Sequence, residues 1–408
     1  MTSRLIALLG AAALVCGSTI GLVAQNGGPA RASRASAGPG ERTYTAGSMS
    51  AERLQRIGQL IDRRIAVKDI AGAVTLVAQG GRIVHLDARG VMDLESREPM
   101  AKDSLFDIAS MTKPITAVAI LMLAEDGRLR LTDPVSRFLP SFTNFKVKSA
   151  SGLPPFVAAA RDITVRDLLT HTSGIVSEAK IPQDRTETLA HYMPTFATAL
   201  LEFQPGTRWM YSNTVGFDTL ARIVEVGSGQ SFDRFLQERL FAPLGMKDTA
   251  HKVDETRNGR VATIYQPSAA GLRPRQYDDA AAYFGGGWGL KTTAEDYLRF
   301  AQMLLNGGEL DGKRLLGRRT VQLMSAVHVP DTLPGRQPGE GWGLGVRVIT
   351  DSGARGTWLP NGSFGWSGAT GTHFWVDPAD DLVAILMVQT PAVGLAADFE
   401  TAVMQAVN

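Results

Sequence analysis

Ser110-Met111-Thr112-Lys113 sets a serine and a lysine three residues apart at the head of a long apolar run, Pro114 to Ala124. If that run is a helix, Lys113 lies one turn above Ser110 on the same face. Ser110 then sits beside the unpaired N–H groups of a helix start. A lysine amine that gives up its proton on burial can take the proton of a neighbouring hydroxyl, and the serine becomes a nucleophile. Pro114 marks the helix start independently, because among the first four positions its missing N–H costs no intrahelical bond. Thr116 is the only polar residue between Pro114 and Ala124, so the helix is expected to be buried on nearly all sides, and Asp126-Gly127 to end it. A second Ser-x-x-Lys, Ser177 to Lys180, stands between Gly174 and Pro182 with no apolar helix behind it and is set aside.

Tyr211-Ser212-Asn213 precedes another helical pattern. Taken alone it reads as a cap or turn. A tyrosine beside a cation can also act as a general acid or base, and an asparagine two residues on can bond a substrate carbonyl. Gly365-Trp366-Ser367-Gly368-Ala369-Thr370-Gly371 leads into a strand, where glycines let a ligand approach the backbone. It nearly matches the G-x-S-x-G nucleophile elbow, but Ala369 takes the last glycine position and a strand follows instead of a helix. Ser367 is therefore rejected as nucleophile. Lys291-Thr292-Thr293 lacks the glycine of a K-T-G triplet, and Thr293 reads as the cap of the following helix. The six histidines, 85, 171, 191, 251, 328 and 373, show no metal-ligand spacing. His171 reads as structural, closing a helix end and fixing a turn. His373 alternates along a strand and faces either a cleft or solvent.

Apolar positions recur at helical spacing from Ser50 to Lys68, with Ser50 as cap. Gly72 to Gln79 and Arg82 to Val91 read as a hairpin about Gly80-Gly81. Helices are expected at Val165–Thr170, Leu189–Glu202, Thr214–Val226, Phe232–Leu240 and Asp296–Leu305. Strands return at Gly341–Thr350, Thr372–Val376 and Leu382–Gln389, the last two joined by a turn at Asp377–Asp381, before a closing helix, Ala396–Val407. The pattern predicts an α/β (α+β) fold in which one sheet is built from both ends of the chain, with a mostly helical region inserted.

The chain has 408 residues, 44% hydrophobic and 20% charged, with a formal charge of +2. That is globular composition without the basic surface a nucleic-acid binder needs. Arg4 and the apolar stretch Leu5 to Ala24 read as an export leader, with cleavage points after Ala24 or Ala32. An uncleaved membrane anchor is the alternative. Residues 33–49 read as a linker, and 50–408 as the catalytic domain, with sheet regions 50–109 and 297–408 and a helical region 110–296. Loss of residues 1–32 removes Arg4 and Arg31 and brings the formal charge to zero. It also removes Cys16, the only cysteine, which excludes a disulfide and a thiol nucleophile from the mature protein. No stable membrane association is expected once the leader is gone, and nothing in the sequence fixes the oligomeric state.

With Leu168-Leu-Thr-His-Thr-Ser-Gly174, Phe203-x-Pro-Gly206, Pro243-Leu-Gly-Met-Lys-Asp-Thr249, Gly285-Gly-Gly-Trp-Gly-Leu290 and Gly371-Thr-His-Phe-Trp-Val-Asp-Pro378 added, the chain from about residue 50 onward resembles the serine β-lactamase and penicillin-binding superfamily. It is most similar to class C β-lactamases and family VIII carboxylesterases. The resemblance implies that Ser110 is acylated, that Lys113 and Tyr211 form the base system, and that Asn213 binds a substrate carbonyl. It aligns Trp366-Ser367-Gly368 with the K-T-G motif and makes the N–H groups of Ser110 and Ala369 an oxyanion hole. No cofactor and no metal are expected. Trp366 stands where a lysine would attract the carboxylate of a β-lactam or peptide, which favours small or hydrophobic esters. The expected activity is that of an exported serine esterase. A β-lactamase or D-amino-acid peptidase is the alternative, and a non-catalytic binding member of the fold a third.

Overall fold

The computed structural model describes residues 48–149, 151–175, 187–275 and 282–408. The expected leader, most of the 33–49 linker and the second Ser-x-x-Lys lie outside the described residues.

Helix α1 (Ala51–Ala66) buries Leu54, Ile57, Leu60 and Ile61, and Ser50 caps it by accepting from the Arg53 N–H at 3.3 Å. Strands β1 (Gly72–Gln79) and β2 (Arg82–Gly90) turn about Gly80 and Gly81, both at positive φ. Helix α2 (Thr112–Glu125) is buried from Thr112 through Leu123, and Pro114 is its third residue. A 3₁₀ turn, Ala109–Met111, precedes it, so Ser110 lies in a tight turn that feeds the helix. Then come α3 (Val165–Leu169), α4 (Leu189–Ala197), α5 (Val215–Ser228) and α6 (Phe232–Leu236), the last continued by a π turn through Phe241. Helix α7 (Ala294–Leu305) starts at Thr293, whose hydroxyl accepts from the Asp296 N–H.

The other strands of the main sheet are β3 (Glu340–Trp342), β4 (Arg347–Ile349), β5 (Phe364–Ser367), β6 (His373–Asp377) and β7 (Leu382–Val388), followed by α8 (Leu395–Met404). They join the first hairpin in one seven-stranded antiparallel sheet, in the order β3-β4-β5-β6-β7-β1-β2. The sheet is thus built from both ends of the described chain, with the helical region between. Side chains alternate between its two faces. Val74, Leu76, Val383, Ile385, Phe374 and Val376 join the core shared with α2, α5 and α7. Ala73, Val77, Ala384, Leu386 and Trp375 join a second core under α1 and α8. Cover on both faces explains why β7 is apolar at every position.

Two expected elements differ. The helix expected over Leu189–Glu202 ends at Ala197, because Leu201 exchanges backbone bonds of 2.8 Å with Lys146 and Lys148 and buries its side chain fully. That tertiary pairing outweighs a helical pattern of apolar residues. The strand expected over Gly341–Thr350 is a hairpin, β3 and β4, turned at Gly343–Gly345. Gly345 takes φ +77°, and a Cβ there would come within 2.7 Å of the Ala117 Cβ, so the turn can seat against α2 only as glycine.

Candidate active site

Three elements converge on Lys113. Its side chain is fully buried, and its Nζ lies 3.2 Å from Ser110 Oγ, 2.5 Å from the Asn213 carbonyl oxygen and 2.8 Å from the Gly287 carbonyl oxygen. It also lies 4.9 Å from the Tyr211 ring centroid. Two of the three bonded neighbours are carbonyls, which only accept, and the third is a hydroxyl, which can donate or accept. A neutral amine has two N–H groups and one lone pair, so it satisfies both carbonyls and still accepts the Ser110 proton. An ammonium satisfies the same three neighbours by donating to all of them. The pocket therefore serves the amine before and after it takes a proton.

The backbone around Ser110 is held tightly. Ala109 sits at φ +43°, a costly position for a residue with a Cβ, and its N–H donates to Asp107 Oδ1 at 2.8 Å. The Tyr297 hydroxyl donates to the Met111 carbonyl at 2.9 Å. The turn after β5 lies against this segment. The Thr370 hydroxyl donates to the Asp107 carbonyl at 2.8 Å, and a Cβ on Gly368 would fall 2.5 Å from the Ile108 carbonyl oxygen. Gly368 and Ala369 are thereby brought beside Ser110, with Ala369 exposed and Ser110 half-buried.

Trp366 lies on the sheet face that meets the helical region, opposite Phe374. Its Nε1–H donates to the Tyr211 hydroxyl at 3.0 Å. Ser367, one residue on, points to the other face. There it bonds His373 Nδ1 at 2.8 Å, and His373 Nε2 lies 3.1 Å from Glu400 Oε1. His373 thus faces neither cleft nor solvent; it is buried between the sheet and α8. Ser367 is separated from Lys113 by the sheet.

His171 follows α3 at φ +56° and is buried. Its Nδ1 accepts the Ser212 N–H at 3.1 Å, and its carbonyl accepts the Met210 N–H at 3.0 Å, so it holds both neighbours of Tyr211. The ring packs 4.6 Å from that of Tyr211. Burial, with the Lys113 and Arg336 charges behind it, holds the imidazole well below its usual range, and the ring stays neutral with its proton on Nε2. Asn213 is exposed at the mouth, its carbonyl spent on Lys113.

Sequence reasoning passed over Asp218, Trp209 and Trp342. Asp218 is fully buried on α5; its Oδ1 accepts the Gly287 N–H at 2.9 Å and its Oδ2 the Tyr283 hydroxyl at 2.6 Å. It anchors Gly287, the residue whose carbonyl binds Lys113. An acid among the apolar positions of the Thr214–Val226 pattern was the available signal. Trp342 donates to the Leu169 carbonyl at 3.1 Å and meets Trp366 edge-on at 4.5 Å, with Trp209 5.6 Å away. Trp342 lies in the glycine-rich start of the expected Gly341–Thr350 strand and Trp209 in a turn segment, and neither position marks its contacts.

A beta-lactamase family model matches residues 57–406. The chain belongs to the beta-lactamase family. This beta-lactamase-family chain is 31% identical over 398 residues to Esterase EstB of Burkholderia gladioli, covering 89% of this chain and 97% of that protein. It is also 31% identical over 339 residues to penicillin-binding protein 4 of Amycolatopsis lactamdurans, covering 81% and 83%. Among solved structures, that of EstCE1, titled a hydrolase with promiscuous acyltransferase activity, superposes with a TM-score of 0.77 at 27% identity, covering 88% of this chain and 99% of that one. This beta-lactamase-family chain is accordingly a serine hydrolase of the beta-lactamase fold.

Proposed function

We propose that this protein is an exported esterase that hydrolyses small carboxylic esters through an acyl-enzyme on Ser110. In acylation, Ser110 Oγ attacks the ester carbonyl carbon while its proton passes to the Lys113–Tyr211 pair. The N–H groups of Ser110 and Ala369 receive the developing oxyanion, a contribution of roughly a hundredfold or more in rate. Collapse breaks the bond to the alcohol oxygen, and the pair returns the proton to that oxygen. Water then attacks the acyl carbon by the same route, releasing the acid and restoring Ser110. Asn213 orients the acyl part of the substrate at the mouth.

The observation that carries the ester reading is Trp366. It occupies the position of the cation that a β-lactam or peptide carboxylate needs. Its single N–H is spent on Tyr211 at 3.0 Å, so neither charge nor donor is left for that anion. Neutral esters make no such demand. The likeness to Esterase EstB supports the same class. The likeness to penicillin-binding protein 4 keeps a cell-wall peptidase or β-lactamase as the competing reading.

Purified protein assayed on short-chain p-nitrophenyl esters and on a chromogenic cephalosporin separates the two. The expected ratio of kcat/KM favours the ester by about tenfold or more, some 1.4 kcal/mol of differential transition-state stabilisation. A preference for the cephalosporin overturns the esterase reading. Export rests on Arg4 and the apolar segment to Ala24. Mass analysis of protein recovered outside the cytoplasm is expected to give an N-terminus after Ala24 or Ala32, and retention of residues 1–24 in a membrane fraction favours an anchor instead.

A further inference from the structure

We propose that Trp366 is a positioning residue for Tyr211, a fixed donor that aims the phenol proton and then receives the phenolate, and that substrate binding is not its main task. The inference rests on the reading above that Tyr211 belongs to the base system.

A phenol hydroxyl has one proton to give and lone pairs to accept with, whereas an indole N–H only donates. The bond of 3.0 Å between Trp366 Nε1 and the Tyr211 hydroxyl therefore has one possible direction. It occupies a lone pair of Tyr211 and cannot take the phenol proton. That proton is left to the rest of the site, where Ser110, Lys113 and the leaving oxygen are found. When Tyr211 gives its proton to the leaving oxygen, the charge formed on its own oxygen meets a donor already in place, and the neutral bond becomes a charge-assisted one. The indole proton itself moves nowhere in the cycle.

Both rings are clamped, as such a donor requires. The Trp366 indole meets Trp342 edge-on, 4.5 Å between centroids at 88°. Trp342 is fully buried and pinned by its own bond to Leu169. Tyr211 is held by His171 through ring contact and through the backbone on both sides. The Tyr211 and Trp366 rings lie 5.2 Å apart. The half-buried indole, packed against Trp342 and Tyr211, has its one polar atom taken by the phenol, which leaves only ring carbon for a substrate to touch.

The test is a double-mutant cycle read by kcat and KM separately. Trp366→Phe keeps a large ring and removes only the N–H. It is expected to lower kcat on p-nitrophenyl acetate by roughly tenfold to a hundredfold, the worth of a hydrogen bond to a charged group. KM is expected to stay within about twofold. The acid limb of kcat/KM should move to higher pH, because the deprotonated base has lost a donor. In a Tyr211→Phe background the same substitution should change kcat no further. Trp366→His, which keeps a ring N–H, should recover part of the rate lost in Trp366→Phe. Melting temperatures measured in parallel identify any variant whose loss is one of folding, and the Trp366→His comparison then decides. A raised KM with unchanged kcat, or equal effects in both backgrounds, overturns the proposal. If Tyr211→Phe alone leaves kcat intact, it is the role of Tyr211 that fails, and that result is read from the single variant.

Discussion

Replacing Gly368 by alanine puts a methyl group where the structure has backbone. The new Cβ would lie 2.2 Å from Thr372 Oγ1 and 2.5 Å from the Ile108 carbonyl oxygen. Thr372 can swing its hydroxyl away, but Ile108 cannot move without carrying Ala109 and Ser110 with it. Ordinary van der Waals contact begins near 3.4 Å, so the two segments must part by about 0.9 Å. That displacement opens the gap between the Ser110 and Ala369 amides, the proposed oxyanion donors. A misplacement of about 1 Å at a reacting centre costs on the order of a hundredfold, similar to the loss of one oxyanion donor. The overpacking itself costs about 1–3 kcal/mol of stability, well short of unfolding a domain of this size. The assay is kcat/KM on p-nitrophenyl acetate, the rate of phosphonate labelling at Ser110, and the melting temperature. Gly259→Ala, where an added Cβ meets nothing within 4 Å, is the control. The expected result is a loss of roughly a hundredfold in both rates with a folded protein. Activity within about twofold of wild type would refute the claim that this turn sets the oxyanion geometry.

Ser110→Ala is expected to remove nearly all hydrolysis, on the order of a millionfold, while Ser367→Ala leaves the chemical step in place, since Ser367 faces the opposite side of the sheet. Phosphonate labelling of Ser367 in wild-type protein contradicts both statements. Asp377 is fully buried at the end of β6, and burial together with Asp380 pushes its carboxyl up to about 7. A raised folded value means that its contribution to stability is full below about pH 4 and is lost as pH rises toward 7. Asp377→Asn keeps an acceptor for the Ala379 N–H and should raise the melting temperature at pH 8 but not at pH 4; an equal change at both pH values refutes the titration. For Glu400, burial pushes the carboxyl up, but His373 and Arg347 outweigh it and hold the group at about 2. Its stabilising contribution is present above about pH 4.5 and fades as pH falls toward 2, so Glu400→Gln should lower the melting temperature at pH 7 by more than at pH 3, as circular dichroism would read.

The sequence carried the parts of this architecture that depend on local periodicity. The valine-bearing apolar run of Gly72–Gln79 and the unbroken apolar run of Leu382–Val388 indicate strands, and the burial of α2 follows from the absence of polar residues after Thr116. The closeness of Ser110 to Lys113 follows from helical spacing alone. Other relations depend on contacts far apart in the chain and left no local trace. The bond from Trp366 to Tyr211 spans 155 residues, and the anchoring of Gly287 by Asp218 spans 69. His373 showed only an alternation whose two sides could not be told apart until α8 was in place to bury one of them. Residues 198–202 look helical by composition and leave the helix because Lys146–Lys148 offers Leu201 a pairing edge.

The pairing of β1 with β7 has a consequence for the order of assembly. Ala73 lies opposite Val388, so an interior ladder of the sheet closes a loop of more than three hundred residues. Everything between must be made before the second half of that ladder exists, and β1 and β2 alone form a hairpin of the kind that is marginal in water. The early hairpin therefore waits through the synthesis of the whole helical region, with the buried face of β1 open to holdase chaperones. Its second neighbour is the last strand to arrive and is apolar at every position. Folding is governed here by a long-range closure of high contact order, so completion is expected to be slow and to follow synthesis. The nucleophile turn at Ser110 gains its opposing wall, β5 and the turn after it, only in that final stage, and the unfinished chain carries no assembled reactive centre.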